Sequence, residues 1–171
     1  MKIAISGKSG CGNTTVSRLV SDMLGIRFIN FTFRSIAEER GMSLAEVLAQ
    51  AAKDDSWDRE VDRRQVALAR EEGGCVLGSR LAIWMLEEAD LKVYLKAAPL
   101  TRARRIVLRE GNTLESVAAF TAERDRQDRE RYLKIYGIDN DNYGFADLII
   151  DTDVFDPKGI ADLIVAKVNK N

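Results

Sequence analysis

The chain has 171 residues, 46% of them hydrophobic and 31% charged, with a formal net charge of −1. That balance describes one domain with a full core and argues against a general binder of nucleic acid or of anionic membrane. With no histidine and two cysteines, the chain lacks the commonest general base and has too few thiols for a metal cluster or a disulfide framework, so catalysis must rest on carboxylates, arginine, lysine and a bound cation.

Met1-Lys2 runs directly into an apolar stretch, and nowhere do roughly 18 apolar residues follow one another, so a soluble cytoplasmic protein without a leader is expected. Lys2 to Ser6 reads as a first strand. It is followed by Gly7-Lys8-Ser9-Gly10-Cys11-Gly12-Asn13-Thr14-Thr15 and then by a helical pattern from Thr14 to Leu24 that stops at Gly25. A buried strand, a glycine-rich turn and a helix opening with hydroxyl residues form an anion site, because backbone N–H groups and the positive end of the helix dipole converge there. Gly7 and Gly12 occupy the glycine positions of G-x-x-x-x-G-K-[ST], and Thr14 stands where a hydroxyl holds Mg²⁺. Position 13, where the pattern has a lysine, is the uncharged Asn13. Lys8, straight after the first glycine, resembles the extra lysine of deviant phosphate loops.

Ile26 to Asn30 reads as a second strand, Cys75 to Leu77 as a third with a buried thiol, Leu91 to Leu95 as a fourth and Leu148 to Asp151 as a fifth. Strands alternating with helices predict a parallel sheet whose ligands lie beyond the strands' carboxyl ends. Between the second and third strands the spacing predicts helices over 34–40, 43–53 and 57–72, the middle one opening with a Ser43-x-x-Glu46 capping box. This is more than a crossover needs, and it reads as a substrate-holding lobe carrying Arg34, Asp58, Asp62 and Gln65.

Arg80 follows the third strand, where its fork can grip a phosphate. Arg102, Arg105 and Arg109 share one helix face at i, i+3 and i+7. After a break at Gly111-Asn112-Thr113, Arg124, Asp128 and Arg131 fall at i, i+4 and i+7, so that Asp128 is expected to bridge both arginines and aim them at one ligand. A last helix is expected over 161–168, after Pro157 and Gly159.

In this order the motifs resemble the nucleoside monophosphate kinases, and in detail the short cytidylate kinases of archaeal type. Besides the phosphate loop, the wording covers Phe33-Arg34, Asp58-x-x-x-Asp62-x-x-Gln65, Arg80-Leu81-Ala82-x-Trp84-Met85, Asp90-Leu91-Lys92-x-x-Leu95-Lys96-Ala97, Arg105-Ile106 and Arg131-Tyr132-x-x-x-Tyr136-Gly137-Ile138-Asp139. The resemblance implies an α/β fold of the P-loop NTPase type, with a five-stranded parallel sheet flanked by helices, an inserted helical lobe for the nucleoside monophosphate and a helical lid. Over a single domain of residues 1–171 it implies a core of 1–30, 73–110 and 132–171, a lobe of 31–72 and a lid of 111–131. It implies transfer of the γ-phosphate of ATP to CMP or dCMP with Mg²⁺, by a monomer or homodimer that binds neither nucleic acid nor membrane.

Residue by residue, the resemblance puts Gly7 to Thr15 around the donor phosphates and Thr14 on Mg²⁺. Arg34 and Arg80 would hold the acceptor phosphate, with Arg124 and Arg131 reaching in from the lid and Asp128 orienting them. Arg105 and Arg109 match arginines beside the donor adenine and phosphates. Asp58, Asp62 and Gln65 face the acceptor nucleoside, and either Asp62 or Gln65 reads its base.

The chain departs from the family wording at Asn13, at Gly78-Ser79-Arg80, which lacks the usual acid before Gly-Arg, and at Asn30-Phe31-Thr32-Phe33-Arg34, which lacks a serine-glycine turn. Two readings follow: an active kinase in which Lys8 takes over the lost lysine's role, or a degenerate kinase that binds nucleotide as a sensor or partner protein. A kinase for another small-molecule acceptor is a rival within the first.

Overall fold

The computed structural model describes residues 1–170. Its sheet has five parallel strands, β1 (Lys2–Gly7), β2 (Arg27–Ile29), β3 (Cys75–Gly78), β4 (Leu91–Lys96) and β5 (Leu148–Asp151), in the order β2-β3-β1-β4-β5. β1 is central, paired with β3 from Lys2↔Cys75 and with β4 from Ile3↔Leu91. The chain leaves β1 toward β2 and β3 on one side and returns to β4 and β5 on the other, so the loop after β1 lies at the topological switch point.

The strand period of two divides the core. Ile3 and Ile5 pack with Val93 and Leu95 beneath α1 (Asn13–Leu24) and α8 (Pro157–Val168), represented by Val16, Val20, Ile160 and Ile164. Ala4, Leu77 and Tyr94 face the other way, onto Val66 and Ala69 of α4 (Ser56–Arg70) and onto the short α5 (Ala82–Met85). The result is a three-layer α/β/α domain in which the inner strands β3, β1 and β4 are covered on both faces, while the edge strand β5 leaves Ile149 exposed.

Between β2 and β3 stand α2 (Phe33–Arg40), α3 (Leu44–Ala51) and α4. They share a small core of their own, Phe31, Ile36 and Val61, with Trp57 against it. α6 (Pro99–Glu110) and α7 (Leu114–Tyr136) form a second hairpin around Ala103, Ile106 and Val117.

Element boundaries differ from the sequence reading where capping decides them. α3 spans Leu44–Ala51 because Ser43 is its cap, accepting from the Glu46 N–H at 3.2 Å while the Glu46 carboxylate accepts from the Ser43 N–H at 2.8 Å. α8 starts at Pro157, not at Ala161, because Asp156 caps the Gly159 N–H at 2.7 Å and proline suits the first helical turn. No described helix is long and apolar enough to cross a membrane.

Candidate functional site

The phosphate loop is shaped by close approaches that exclude side chains. A Cβ on Gly10, at φ +83°, would stand 2.8 Å from the Arg102 carbonyl oxygen, and one on Gly7 would stand 2.6 Å from the Leu95 carbonyl oxygen. Gly12 enters α1 in the left-handed region, and no side chain caps that helix. The first-turn N–H groups therefore lack both an intrahelical acceptor and a cap, which leaves the positive end of the helix open to an anion.

Three arginines brace the loop from outside. Arg102 is 4% exposed, donates to the Ser9 carbonyl at 3.1 Å and forms a two-point pair with Asp125 of α7. Arg105 donates to the Gly10 carbonyl at 3.2 Å and to the Thr152 hydroxyl and carbonyl at 2.7 and 2.6 Å. Arg80 donates to the Ser9 hydroxyl at 2.8 Å. Sequence spacing identified the arginine row without showing that Arg102 and Arg105 are spent on protein carbonyls. Arg109 lines the neighbouring cleft, but its guanidinium pairs with Glu110.

That cleft, of about 410 Å³, lies between the phosphate loop, Arg105 and the segment after β5, with Thr152, Phe155, Asp156 and Pro157 on its far wall. Thr14 and Thr15 line it as well. The far-wall residues were missed by sequence reasoning, and only their position after a strand's carboxyl end pointed to them. Cys11 also lines the cleft, yet it is 3% exposed and burial pushes its thiol pKa up, so it serves as core.

Asn13 donates its amide to the Gly7 carbonyl at 2.6 Å, closing the loop across its two ends. Lys8 points toward the segment after α7, where its Nζ lies 2.6 Å from Asp141 Oδ1. The described residues hold no cluster of three acidic, cysteine or histidine groups fit for a metal. The hard oxygen of Thr14, exposed at the start of α1, suits Mg²⁺, an ion that takes few protein ligands and keeps phosphate and water oxygens for the rest.

On the other side of Arg80 lies a charged cluster between α4 and α7. Asp128, buried, bridges Arg131 at 2.9 Å and Arg80 at 3.2 Å, and Arg131 Nε lies 3.5 Å from Asp58. The expected bridge from Asp128 to Arg124 is not formed: Arg80, arriving from β3, takes that carboxylate oxygen instead. Arg124 is left partly buried and without an ion pair among the described residues. Desolvation and the charge of Arg80 both lower its pKa. A guanidinium so placed is a cation short of an anion.

Arg34 is exposed at the start of α2 and makes no ion pair among the described residues. Asp62 accepts from the Tyr136 hydroxyl at 2.7 Å, and burial pushes its carboxyl up to about 6, with that hydrogen bond pulling the other way. Asp58 is raised as well, chiefly by burial. Gln65 is 6% exposed and donates its amide to the Phe31 carbonyl at 2.5 Å, which ties α4 to the lead-in of α2. Of the two base-reading candidates, Gln65 is thus engaged in the fold, whereas Asp62 keeps one oxygen beyond its bond to Tyr136.

The profile of the cytidylate kinase-like family matches residues 2–154. A protein named cytidylate kinase 2 from Borreliella afzelii is 45% identical over 99% of this chain and 97% of its own. A cytidylate kinase from Pyrococcus horikoshii is 41% identical over 98% of this chain and 88% of its own. Among solved structures, a shikimate kinase from Bacteroides thetaiotaomicron superposes over 100% of this chain and 99% of that one with a TM-score of 0.69 at 15% identity, a likeness of fold.

Proposed function

The chain belongs to the cytidylate kinase-like family, and we propose that it transfers the γ-phosphoryl group of ATP to CMP or dCMP, giving CDP or dCDP. The observation that carries this reading is the partly buried Arg124, without an ion pair among the described residues and beside Arg80 and Arg131, together with the uncapped N-terminus of α1. One pole suits the donor's phosphates and the other an incoming phosphate.

In this mechanism the amides of Gly7 to Thr15 hold the donor's β- and γ-phosphates, and Lys8 supplies the charge that Asn13 lacks. Thr14 offers its hydroxyl to Mg²⁺, which when bound neutralises charge on the phosphate oxygens. The donor base enters the cleft bounded by Arg105, Phe155 and Pro157. Arg34 and Arg80 bind the acceptor phosphate while Arg124 and Arg131 neutralise the equatorial oxygens in the transition state. Asp128, in contact with Arg80 and Arg131, fixes their forks. Asp62 accepts a hydrogen bond from the 4-amino group of cytosine, which uracil lacks. Residues 31–72 act as the acceptor lobe and 111–131 as a lid that excludes water, so that phosphate and not water accepts the group.

A second reading, nucleotide binding without turnover, is favoured by the neutral Asn13 closing the loop. Steady-state ADP release with Mg-ATP against CMP, dCMP, UMP, AMP, GMP and no acceptor separates the two. Turnover selective for CMP or dCMP is expected. Calorimetric binding of ATP and CMP with no turnover for any acceptor would establish the second reading.

A further inference from the structure

Lys8 does not lie loose over the phosphate loop. Its Nζ is 2.6 Å from Asp141 Oδ1, with the lysine side chain 26% and the aspartate side chain 43% exposed. Asp141 is itself held. Its N–H donates to Asp139 Oδ1 at 3.0 Å, and its second oxygen lies 3.6 Å from Arg129 Nε. Arg129 meets Asp139 through two bonds of 2.8 and 2.6 Å and draws the Asp139 pKa well below the usual carboxylate range. Between the two acids, Asn140 is 5% exposed, so the turn is pinned into the body of the protein.

We infer that Asp141 is the positioning residue for Lys8, holding its ammonium at the rim of the phosphate loop for the donor triphosphate. This rests on the donor reading given above. An ammonium has three N–H donors, and one engaged with Asp141 leaves two for phosphate oxygens. A lysine at the second position of the loop hangs on four flexible carbons, and ordering such a chain costs conformational entropy. A carboxylate fixed by Asp139 and Arg129 covers that cost before the nucleotide arrives. Asn13 makes the arrangement necessary, since no other lysine stands in the loop.

The test is a double-mutant cycle on kcat and on KM for ATP with Lys8→Ala, Asp141→Asn and the pair, with Asp141→Glu as the conservative variant. Asp141→Asn is expected to lower kcat on the order of tenfold in the wild-type background and to have no further effect once Lys8 is alanine. Asp141→Glu should restore part of the loss. An unchanged kcat in Asp141→Asn, or a loss that adds in full to that of Lys8→Ala, would overturn the assignment. If the wild-type protein binds ATP without turning over CMP, the kinase reading fails by itself, and the same cycle read on calorimetric ATP affinity still decides the role of Asp141. Absence of ATP binding in the wild type would overturn both.

Discussion

Asp62→Asn separates what the acceptor side of the site costs the fold from what it gives to function. Burial pushes the Asp62 carboxyl from the usual 3.8 up to about 6, opposed by the Tyr136 hydrogen bond, with Asp58 adding to the rise and Arg131 and Arg80 drawing it down. A rise of that size corresponds to ~3 kcal/mol between the two protonation states. An acid whose folded pKa is raised binds its proton more tightly in the native state. Its contribution to stability is therefore complete below the unfolded pKa and is lost as pH climbs through about 6. Asparagine has no such titration and keeps an acceptor for the Tyr136 hydroxyl. Thermal unfolding of both proteins at intervals between pH 4 and pH 8 isolates the effect of Asp62 and its coupling to Asp58, because carboxylates that do not interact with Asp62 cancel in the difference. The stability of Asp62→Asn relative to wild type should rise by ~2.4 kcal/mol across that range, the first part of the loss lying below pH 4, or roughly 5–10 °C in Tm for a domain of this size. A difference that stays flat with pH would refute the reasoning. In the same variant, kcat/KM for CMP should fall relative to that for UMP.

Arg124→Ala should lower kcat about a hundredfold while leaving Tm unchanged or higher, because it removes a desolvated cation with no ion pair among the described residues; steady-state kinetics and thermal unfolding check both halves. Lys8→Ala should cost on the order of a hundredfold in kcat, and adding Asn13→Lys to that variant should recover part of it in the ADP-release assay, because the second lysine restores a charge to the loop. Gly78→Asp, which restores the family's acid before the turn, should destabilise the fold by ~2–3 kcal/mol in urea unfolding. Its Cβ would stand 2.5 Å from Ser17 Oγ and 3.2 Å from the Phe28 ring.

That last clash explains one departure that sequence alone left open. Position 78 is glycine because β3 runs against α1 at Ser17, a fact of packing between elements far apart in the chain. The sheet itself was legible, since Ile3, Ile5, Val93 and Leu95 announce their strands by local pattern, and β5 falls on the residues expected. The glycine-rich turn after β1 was legible too, because Gly10 and Gly12 stand at φ of +83° and +95°, a backbone conformation that favours glycine. Partner choice was less so. Helical spacing correctly joined Asp128 to Arg131, but it could not reveal that Arg80, forty-eight positions earlier by their numbers, would displace Arg124 from the same carboxylate. The ties from Arg105 to Thr152, from Tyr136 to Asp62 and from Lys8 to Asp141 all cross between elements and carry no periodic signal.

α7 runs unbroken from Leu114 to Tyr136. Near its end it grips the β2–β3 insertion, Arg131 beside Asp58, Lys134 on Asp55 at 2.5 Å and Tyr136 on Asp62. Earlier along the same rod, Asp125 holds Arg102 behind the phosphate loop. Twenty-three residues of helix measure about 35 Å, so a tilt of about 10° about the Tyr136 end carries the Leu114 end through about 6 Å. On the acceptor and donor sites proposed above, the helix is a single beam that joins the two: a pull on its last turns would reach the mouth of the donor cleft without any backbone having to melt.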